Sequence, residues 1–96
     1  MKPLTFQPRQ GYIGITYDRA FLGEYTIDLY PLLLPATTTE ESRWLWEVFC
    51  GELTVKTQGP LGPAYRAKAP VAHGYAPTKP AALRAIRAAL TKLGAK

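Results

Sequence analysis

The chain has 96 residues, of which 47% are hydrophobic and 20% charged, and a formal net charge of +5. These values are typical of one folded domain with a modest core, and they exclude the composition of a disordered protein. No apolar run approaches the roughly 18 residues that a membrane span requires. The single cysteine excludes an internal disulfide, and the N-terminus lacks an apolar leader, so the sequence predicts a cytoplasmic protein.

The charges are divided unevenly along the chain. Residues 1–55 hold all seven acidic residues and four basic ones, whereas residues 56–96 hold eight basic residues and no acidic one. A protein divided in this way has one positive surface, which attracts phosphates or an acidic protein surface.

The first regular segment follows an irregular lead-in over residues 1–10, where Pro3 and Pro8 interrupt the chain. The segment from Tyr12 to Tyr17 alternates and is rich in β-forming residues, which predicts a strand. Ile13, Ile15 and Tyr17 would share its inward face.

A turn at Asp18–Ala20, a second turn at Gly23 and then a second strand at Glu24–Tyr30 are predicted next. The alternation of the second strand separates two faces. Its inward residues would be Tyr25, Ile27 and Leu29, and its outward residues Thr26 and Asp28. Because the two strands are adjacent in sequence, they most simply form an antiparallel hairpin.

The apolar segment Pro31–Pro35 is bounded by two prolines, each of which removes a backbone donor. It therefore cannot be a central strand. It is expected to pack under a sheet edge or to form an exposed patch that could mediate a homodimer.

Residues 37–51 allow two interpretations. Thr38 and Glu41 have the spacing of a capping box and favour a helix, whereas the dense aromatic and apolar run Trp44–Phe49 favours a strand. We favour a hairpin of this run with Leu53–Lys56, preceded by a short helical turn over Thr39–Ser42.

Residues 57–77 are rich in proline and glycine and predict a loop, with room for short strands near Tyr65–Lys68 and His73–Tyr75. A helix over residues 79–93 follows, because Thr78 can cap its first turn and Gly94 can end it. Its apolar stripe comprises Leu83, Ile86, Leu90 and Leu93, extended by Ala82 and Ala89.

The predicted fold is therefore α+β, with an antiparallel sheet of about four strands in two hairpins and the C-terminal helix packed on one face. The helix would cover the inward residues of the first hairpin and one side of the run Trp44–Val48. Trp44 and Trp46 lie two residues apart on one strand face, which favours a place in the core over an exposed interface anchor.

The helix also defines the candidate binding surface. Basic and small residues occupy the side away from the stripe, and no glutamate lies four residues away to neutralise the arginines. Cations and tyrosines of the preceding loop extend the surface, as in clefts that stack nucleobases. The candidate site comprises the cations Arg66, Lys68, Lys79, Arg84, Arg87 and Lys92 and the aromatic contacts Tyr65 and Tyr75.

Two alternatives remain open at this surface. The arginines of the helix could pair within the fold with Glu40, Glu41, Glu47 or Glu52, in which case the positive surface would be neutralised internally. Tyr65 and Tyr75 could equally be strand residues whose rings pack on the helix.

No catalytic or metal-binding pattern accompanies this surface. Cys50 and His73 are the only cysteine and histidine, and a thiol–imidazole pair formed by chance is a remote alternative. One histidine and one cysteine do not make a metal site, and no glycine-rich phosphate loop is present, so no metal or cofactor is expected.

The sequence thus predicts a non-enzymatic protein that binds a larger protein or nucleoprotein partner through its basic C-terminal face. Its size and its lack of an active site are typical of small inhibitors and adaptors, including those of mobile genetic elements. The alternative is direct, sequence-nonspecific binding of nucleic acid through the same cations.

Overall fold

The computed structural model describes residues 3–11, 15–32 and 43–95. Seven strands and one helix lie in this part of the chain. Their bounds are β1 Gln7–Gln10, β2 Thr16–Leu22, β3 Tyr25–Pro31, β4 Trp44–Cys50, β5 Thr54–Gly59, β6 Gly62–Ala67, β7 Ala72–Ala76 and α1 Lys79–Lys92.

Five strands form one antiparallel sheet in the order β1-β2-β3-β4-β7, and α1 packs on one of its faces. Strands β5 and β6 form a separate two-stranded ribbon. The predicted α+β class and the helix packed on one face are confirmed. The main sheet has five strands where about four were expected.

The additional strand is β1, which lies where an irregular lead-in was predicted. It contains Pro8, which is tolerated because β1 is an edge strand and pairs only with β2. The strand expected near His73–Tyr75 is β7, which joins the main sheet beside β4.

The first predicted hairpin exists, and its predicted turn at Gly23 is confirmed, whereas the turn predicted at Asp18–Ala20 is wrong. Asp18–Ala20 is part of β2, and the chain reverses at Gly23, whose φ of 60° is the left-handed conformation that glycine adopts easily. The turn prediction failed because the polar residues of β2 have partners across the sheet. Ala20 is fully buried, and Arg19 lies opposite Asp28.

The inward face of β2 was also predicted wrongly. Ile15 is 54% exposed, and Tyr17 lies opposite Tyr30 on the face of the sheet away from α1. The buried residues of β2 on the helix side are Ala20 and Leu22. Ile13 lies outside the described residues.

Strand β3 is buried on both faces. Ile27 and Leu29 pack in the core beneath α1, as predicted. Thr26 and Asp28, which were expected to face outward into solvent, are only 6% and 2% exposed. The strict alternation indicated one exposed face, but the side chains of the strands on either side cover it.

Trp44–Cys50 is a strand, so the helical interpretation of this run is wrong. The predicted hairpin with Leu53–Lys56 is also wrong, because β4 lies between β3 and β7 while β5 pairs with β6. Local alternation identified both strands but not their partners. The predicted helical turn Thr39–Ser42 lies outside the described residues, as do positions 33–35 of the proline-bounded segment, whose Pro31 ends β3.

Helix α1 begins and ends as its sequence predicts. The Thr78 hydroxyl accepts a hydrogen bond from the Ala81 N–H at 3.2 Å. At the other end the N–H groups of Gly94 and Ala95 donate to the carbonyls of Thr91 and Leu90 at 3.1 and 2.9 Å. These two bonds form a Schellman motif, which satisfies the last carbonyls of the helix.

The buried stripe of α1 is narrower than the predicted one. Ile86 and Leu90 are fully buried together with Ala82, whereas Leu83 is half-buried and Leu93 is 37% exposed. The buried residues of α1 pack on those of β3 and β4. The core comprises Leu22, Ile27, Leu29, Trp46, Val48, Ala76, Ala82, Ile86 and Leu90.

Candidate binding surface

The exposed side of α1 carries three cations that have no acidic partner among the described residues. Arg84, Arg87 and Lys92 are all exposed. Among residues 3–11, 15–32 and 43–95, the ion pairs join Arg19 to Asp28 and Lys79 to Asp18, and none involves these three cations. The helix itself supplies no counterion, because its sequence contains no acidic residue.

The structure answers part of the question of internal pairing. Glu47 lies opposite Asp28 on the sheet face away from α1, so it cannot reach the helix arginines. Glu52 is exposed after β4 and forms no ion pair with a described residue. Glu40 and Glu41 lie outside the described residues. Two of the four glutamates are thereby excluded as partners.

Lys79 belongs to the candidate site but contacts its own fold. Its Nζ lies 3.4 Å from a carboxylate oxygen of Asp18 and 6.0 Å from the ring centroid of Trp44. Both partners lie on the helix side of the sheet, so Lys79 holds the start of α1 against β2 and β4. The ammonium group is still half exposed, which limits the free energy of this ion pair to well under about 1 kcal/mol.

The remaining predicted site residues lie apart from the helix. Lys68 donates a hydrogen bond to the carbonyl of Cys50. Tyr65 and Arg66 belong to β6 of the two-stranded ribbon, and their side chains lie outside what the structure describes. Tyr75 is 59% exposed on the face of β7 away from α1, so its ring does not pack on the helix. The candidate site is therefore divided, and its coherent part is the trio on α1.

The sheet face away from α1, called the open face here, carries a polar cluster that the sequence did not predict. Asp28 accepts two hydrogen bonds from Arg19, at 2.7 Å from Nε and 2.9 Å from the terminal nitrogen, and a weaker one at 3.4 Å from the Tyr30 hydroxyl. Tyr17 stacks on Tyr30 with ring centroids 4.8 Å apart, and the Arg19 guanidinium lies 5.4 Å from the Tyr17 ring centroid.

This cluster shifts two proton affinities. The hydrogen bond to Asp28 raises the pKa of Arg19 above its ordinary value. Burial, followed by the negative charge of Asp28, raises the pKa of Tyr30 to about 12. Arg19 and Tyr30 therefore stay protonated at neutral pH and keep donating to Asp28. Arg19 and Asp28 lie nine residues apart, on either side of the turn at Gly23. If the predicted first strand had extended to this turn, the spacing would have placed the two side chains opposite each other.

A cleft of about 390 Å³ lies beside this cluster. Its walls include Glu47 and Phe49 from β4 and Lys68 from the segment after β6. The cations that line it are engaged, Arg19 with Asp28 and Lys68 with the Cys50 carbonyl. The Glu47 carboxylate alone among the charged groups of the cleft forms no hydrogen bond or ion pair with a described residue.

Replacing Glu47 by glutamine is expected to stabilise the protein slightly at neutral pH. Burial and the facing Asp28 raise the pKa of Glu47, so the folded state binds a proton more readily than the unfolded state. Its ionised form therefore destabilises the fold above the folded pKa, and this effect disappears as the pH falls below the unfolded pKa. We expect a gain of about 0.2–1 kcal/mol at pH 7, the magnitude for like charges directly opposite in a sheet.

Urea unfolding of Glu47→Gln and of the unsubstituted protein, at neutral pH and near pH 4, measures this difference. The gain should shrink at the lower pH because the raised pKa leaves Glu47 of the folded protein largely protonated there. A gain of the same size at both pH values would show that the charge of Glu47 is not its cause.

The conceivable thiol–imidazole pair does not form. Cys50 lies opposite Tyr25 on the helix side of the sheet, whereas His73 lies opposite Glu47 on the open face. The described residues also contain no group of three histidine, cysteine, aspartate or glutamate side chains placed to hold a metal ion. Within the same residues, no helix has the length and apolarity needed to cross a membrane.

The two tryptophans differ in their surroundings. Trp46 is 8% exposed in the core, which confirms the expected packing role, and Trp44 packs half-buried at the margin of the core near Lys79. The indole N–H of Trp46 is buried and has no hydrogen-bond partner in the described part of the chain.

Comparisons of the chain with models of protein families, with curated proteins and with solved structures find no match.

Proposed function

We propose that this chain is a non-enzymatic binding protein that associates stoichiometrically with a larger protein or nucleoprotein partner in the cytoplasm, as inhibitors and adaptors do. The observation that carries the proposal is the exposed cation trio of α1, Arg84, Arg87 and Lys92, which forms no ion pair with a described residue. A solvated helix ordinarily interleaves both charge signs, and this helix has none of the negative sign. An acidic surface on a partner is the complement that such a helix attracts.

The rigidity of α1 supports this role. The helix is capped at both ends, and Ile86 and Leu90 anchor it in the core. Its cations therefore project from an element that is already ordered, which reduces the entropy lost on binding. The exposed Ala88 lies between the cations, and its small side chain lets a partner approach the helix closely.

The alternative is direct binding of nucleic acid. Fewer cations are available for phosphate contacts than the sequence indicated. Two of the six predicted cations, Lys68 and Lys79, contact acceptors of their own fold. Since each phosphate contact contributes to nonspecific affinity, a helix with three free cations is better suited to a protein surface that also supplies apolar contact.

The double substitution Arg84→Glu/Arg87→Glu is expected to abolish co-purification of the partner from the native host. Both side chains are exposed and make no contact that the fold requires, so the helical circular dichroism should not change. The matched control is Arg9→Glu/Lys56→Glu, which changes the net charge equally at exposed positions away from α1. The control should retain the partner.

Retention of the partner by the α1 variant would contradict the proposal. A mixed-sequence DNA duplex tests the alternative. If the protein binds it with an affinity that falls by about 0.9 logarithmic units per phosphate contact for each tenfold rise in salt, and the α1 variant does not bind, nucleic acid is the partner.

A further inference from the structure

Strand β7 is an edge strand with one side open. It is last in the sheet order and pairs only with β4, so no described strand occupies its other side. An unpaired edge presents a row of free N–H and C=O groups and is a template for pairing with another chain.

The hydrogen-bond pattern identifies which groups point to the open side. The carbonyl of Val48 accepts a hydrogen bond at 2.8 Å from the residue that precedes β7, so Val48 directs its backbone toward β7, and Trp46, two residues earlier, does the same. Gly74, opposite Trp46, therefore bonds to β4. His73 and Tyr75, on either side of Gly74, direct their N–H and C=O groups to the open edge.

The two edges of the sheet are not equally protected. The β1 edge contains Pro8 and Arg9, and both residue types obstruct pairing. The β7 edge has the sequence Ala-His-Gly-Tyr-Ala, without proline, lysine, arginine or an acidic residue. Pro70 and Pro77 lie just outside the two ends of β7 and limit the segment that can pair to the length of this strand. The β7 edge is therefore open to pairing and of defined length.

The charges on the helix side of this edge select its occupant, whereas on the open face Glu47 lies opposite His73. Strands β6 and β7 and helix α1 lie wholly within residues 56–96, which contain no acidic residue. Helix α1 packs on β4 and β7 and carries the exposed cation trio. A second copy of this chain would bring two such positive regions together, whereas an acidic chain would be attracted.

We propose that the β7 edge, flanked by α1, binds an extended acidic segment of the partner protein, which adds to the sheet as a further strand. Pairing with the backbone of His73 and Tyr75 supplies affinity, and the cations of α1 supply the preference for acidic sequence. This inference rests on the proposed function, because it assigns to the same basic surface the kind of partner that it recognises.

The side chains of β7 fit an added strand. On the helix side they are small, Ala72, Gly74 and Ala76, so an incoming side chain can lie close to α1. On the open face His73 and Tyr75 are exposed and can contact the alternate side chains of the added strand. Acidic residues are therefore expected on the helix side of the bound segment, and apolar residues beside Tyr75.

A fluorescently labelled peptide of about ten residues, alternating valine and glutamate, is a suitable probe because strands rarely exceed this length. Binding is measured by fluorescence anisotropy at low salt, and amide hydrogen exchange by NMR. We expect the peptide to bind and to slow exchange at His73 and Tyr75, with no change at Gly74, whose N–H already bonds to β4. The same peptide with lysine in place of glutamate should not bind.

The substitution Tyr75→Pro removes one outward donor without removing a hydrogen bond to β4, and Tyr75→Ala removes the same ring but keeps the donor. We expect about a tenfold loss of peptide affinity for Tyr75→Pro and less than about a threefold loss for Tyr75→Ala. Equal affinities of the two variants would overturn the inference. If Tyr75→Pro does not fold, the exchange measurement on the unsubstituted protein decides.

The outcomes also separate this inference from the proposed function. If Arg84→Glu/Arg87→Glu loses the native partner but the peptide leaves His73 and Tyr75 unprotected, the function stands and the edge inference is wrong. If the native partner survives the charge reversal but is lost by Tyr75→Pro, the edge inference stands and the role of the helix cations is wrong. Protection of these amides that rises with protein concentration, without peptide, would assign the edge to a second copy and overturn the inference.

Discussion

Arg19→Met is expected to lower the free energy of unfolding by about 3 kcal/mol at neutral pH, at the lower end of the range for a broken buried ion pair. Asp28 is 2% exposed and accepts both of its shortest hydrogen bonds from Arg19. Methionine preserves much of the side-chain volume but leaves the carboxylate buried without its counterion. The Arg19 side chain is still 20% exposed, so water can reach the ion pair. We therefore expect a loss at the lower end of this range.

Urea unfolding at pH 7, followed by tryptophan fluorescence, measures this loss. The matched control is Arg9→Met, which removes the same charge from an exposed position on the open face of β1, and should change the stability by less than about 0.5 kcal/mol. Arg19→Met/Asp28→Leu should recover most of the loss, because it removes both charges together. A loss equal to that of the Arg9 control would show that the pair is solvated rather than buried.

The ion pair of Arg19 and Asp28 also explains why the sequence misplaced the first turn. Asp-Arg-Ala is a turn-like sequence only while its charges are assumed to face water. In the antiparallel pair of β2 and β3, Arg19 lies opposite Asp28, and each is an interior residue of its strand. That meeting depends on the register of the hairpin, and no local pattern in β2 encodes the register.

The helix was predicted closely because its signals are local. The cap at Thr78 and the left-handed Gly94 act within one turn and form the expected hydrogen bonds, and the apolar spacing correctly places Ile86 and Leu90 in the core. The partners of β4 and β5 are contacts between distant segments, which alternation along one strand does not determine. The sequence therefore identified these strands and assigned them to the wrong hairpin.

The residues of the candidate site also divide into those that local sequence places correctly and those whose contacts depend on distant segments. Periodicity alone placed Arg84 and Arg87 on the exposed side of α1. Whether Lys68 and Lys79 are free to bind a partner depends on acceptors in other elements of the fold. These acceptors are the Cys50 carbonyl and Asp18. The open edge of β7 could not be predicted at all, because a strand is an edge only by its position in the sheet.

Gly74→Ala is expected to lower the free energy of unfolding by about 1–3 kcal/mol, the magnitude for overpacking a core. A Cβ atom at this position would lie 2.9 Å from Cζ2 and 3.0 Å from Cε2 and Nε1 of Trp46. The indole is 8% exposed and packed in the core beneath α1, so it cannot move aside without disturbing its neighbours. Thermal unfolding followed by circular dichroism measures the loss.

A double-mutant cycle with Trp46→Phe tests the cause. Phenylalanine lacks the three indole atoms that the added methyl would meet, and its introduction breaks no hydrogen bond because the indole N–H has no partner in the described part of the chain. In the Trp46→Phe background, Gly74→Ala should therefore cost less than about 0.5 kcal/mol. An equal cost in both backgrounds would place the strain elsewhere.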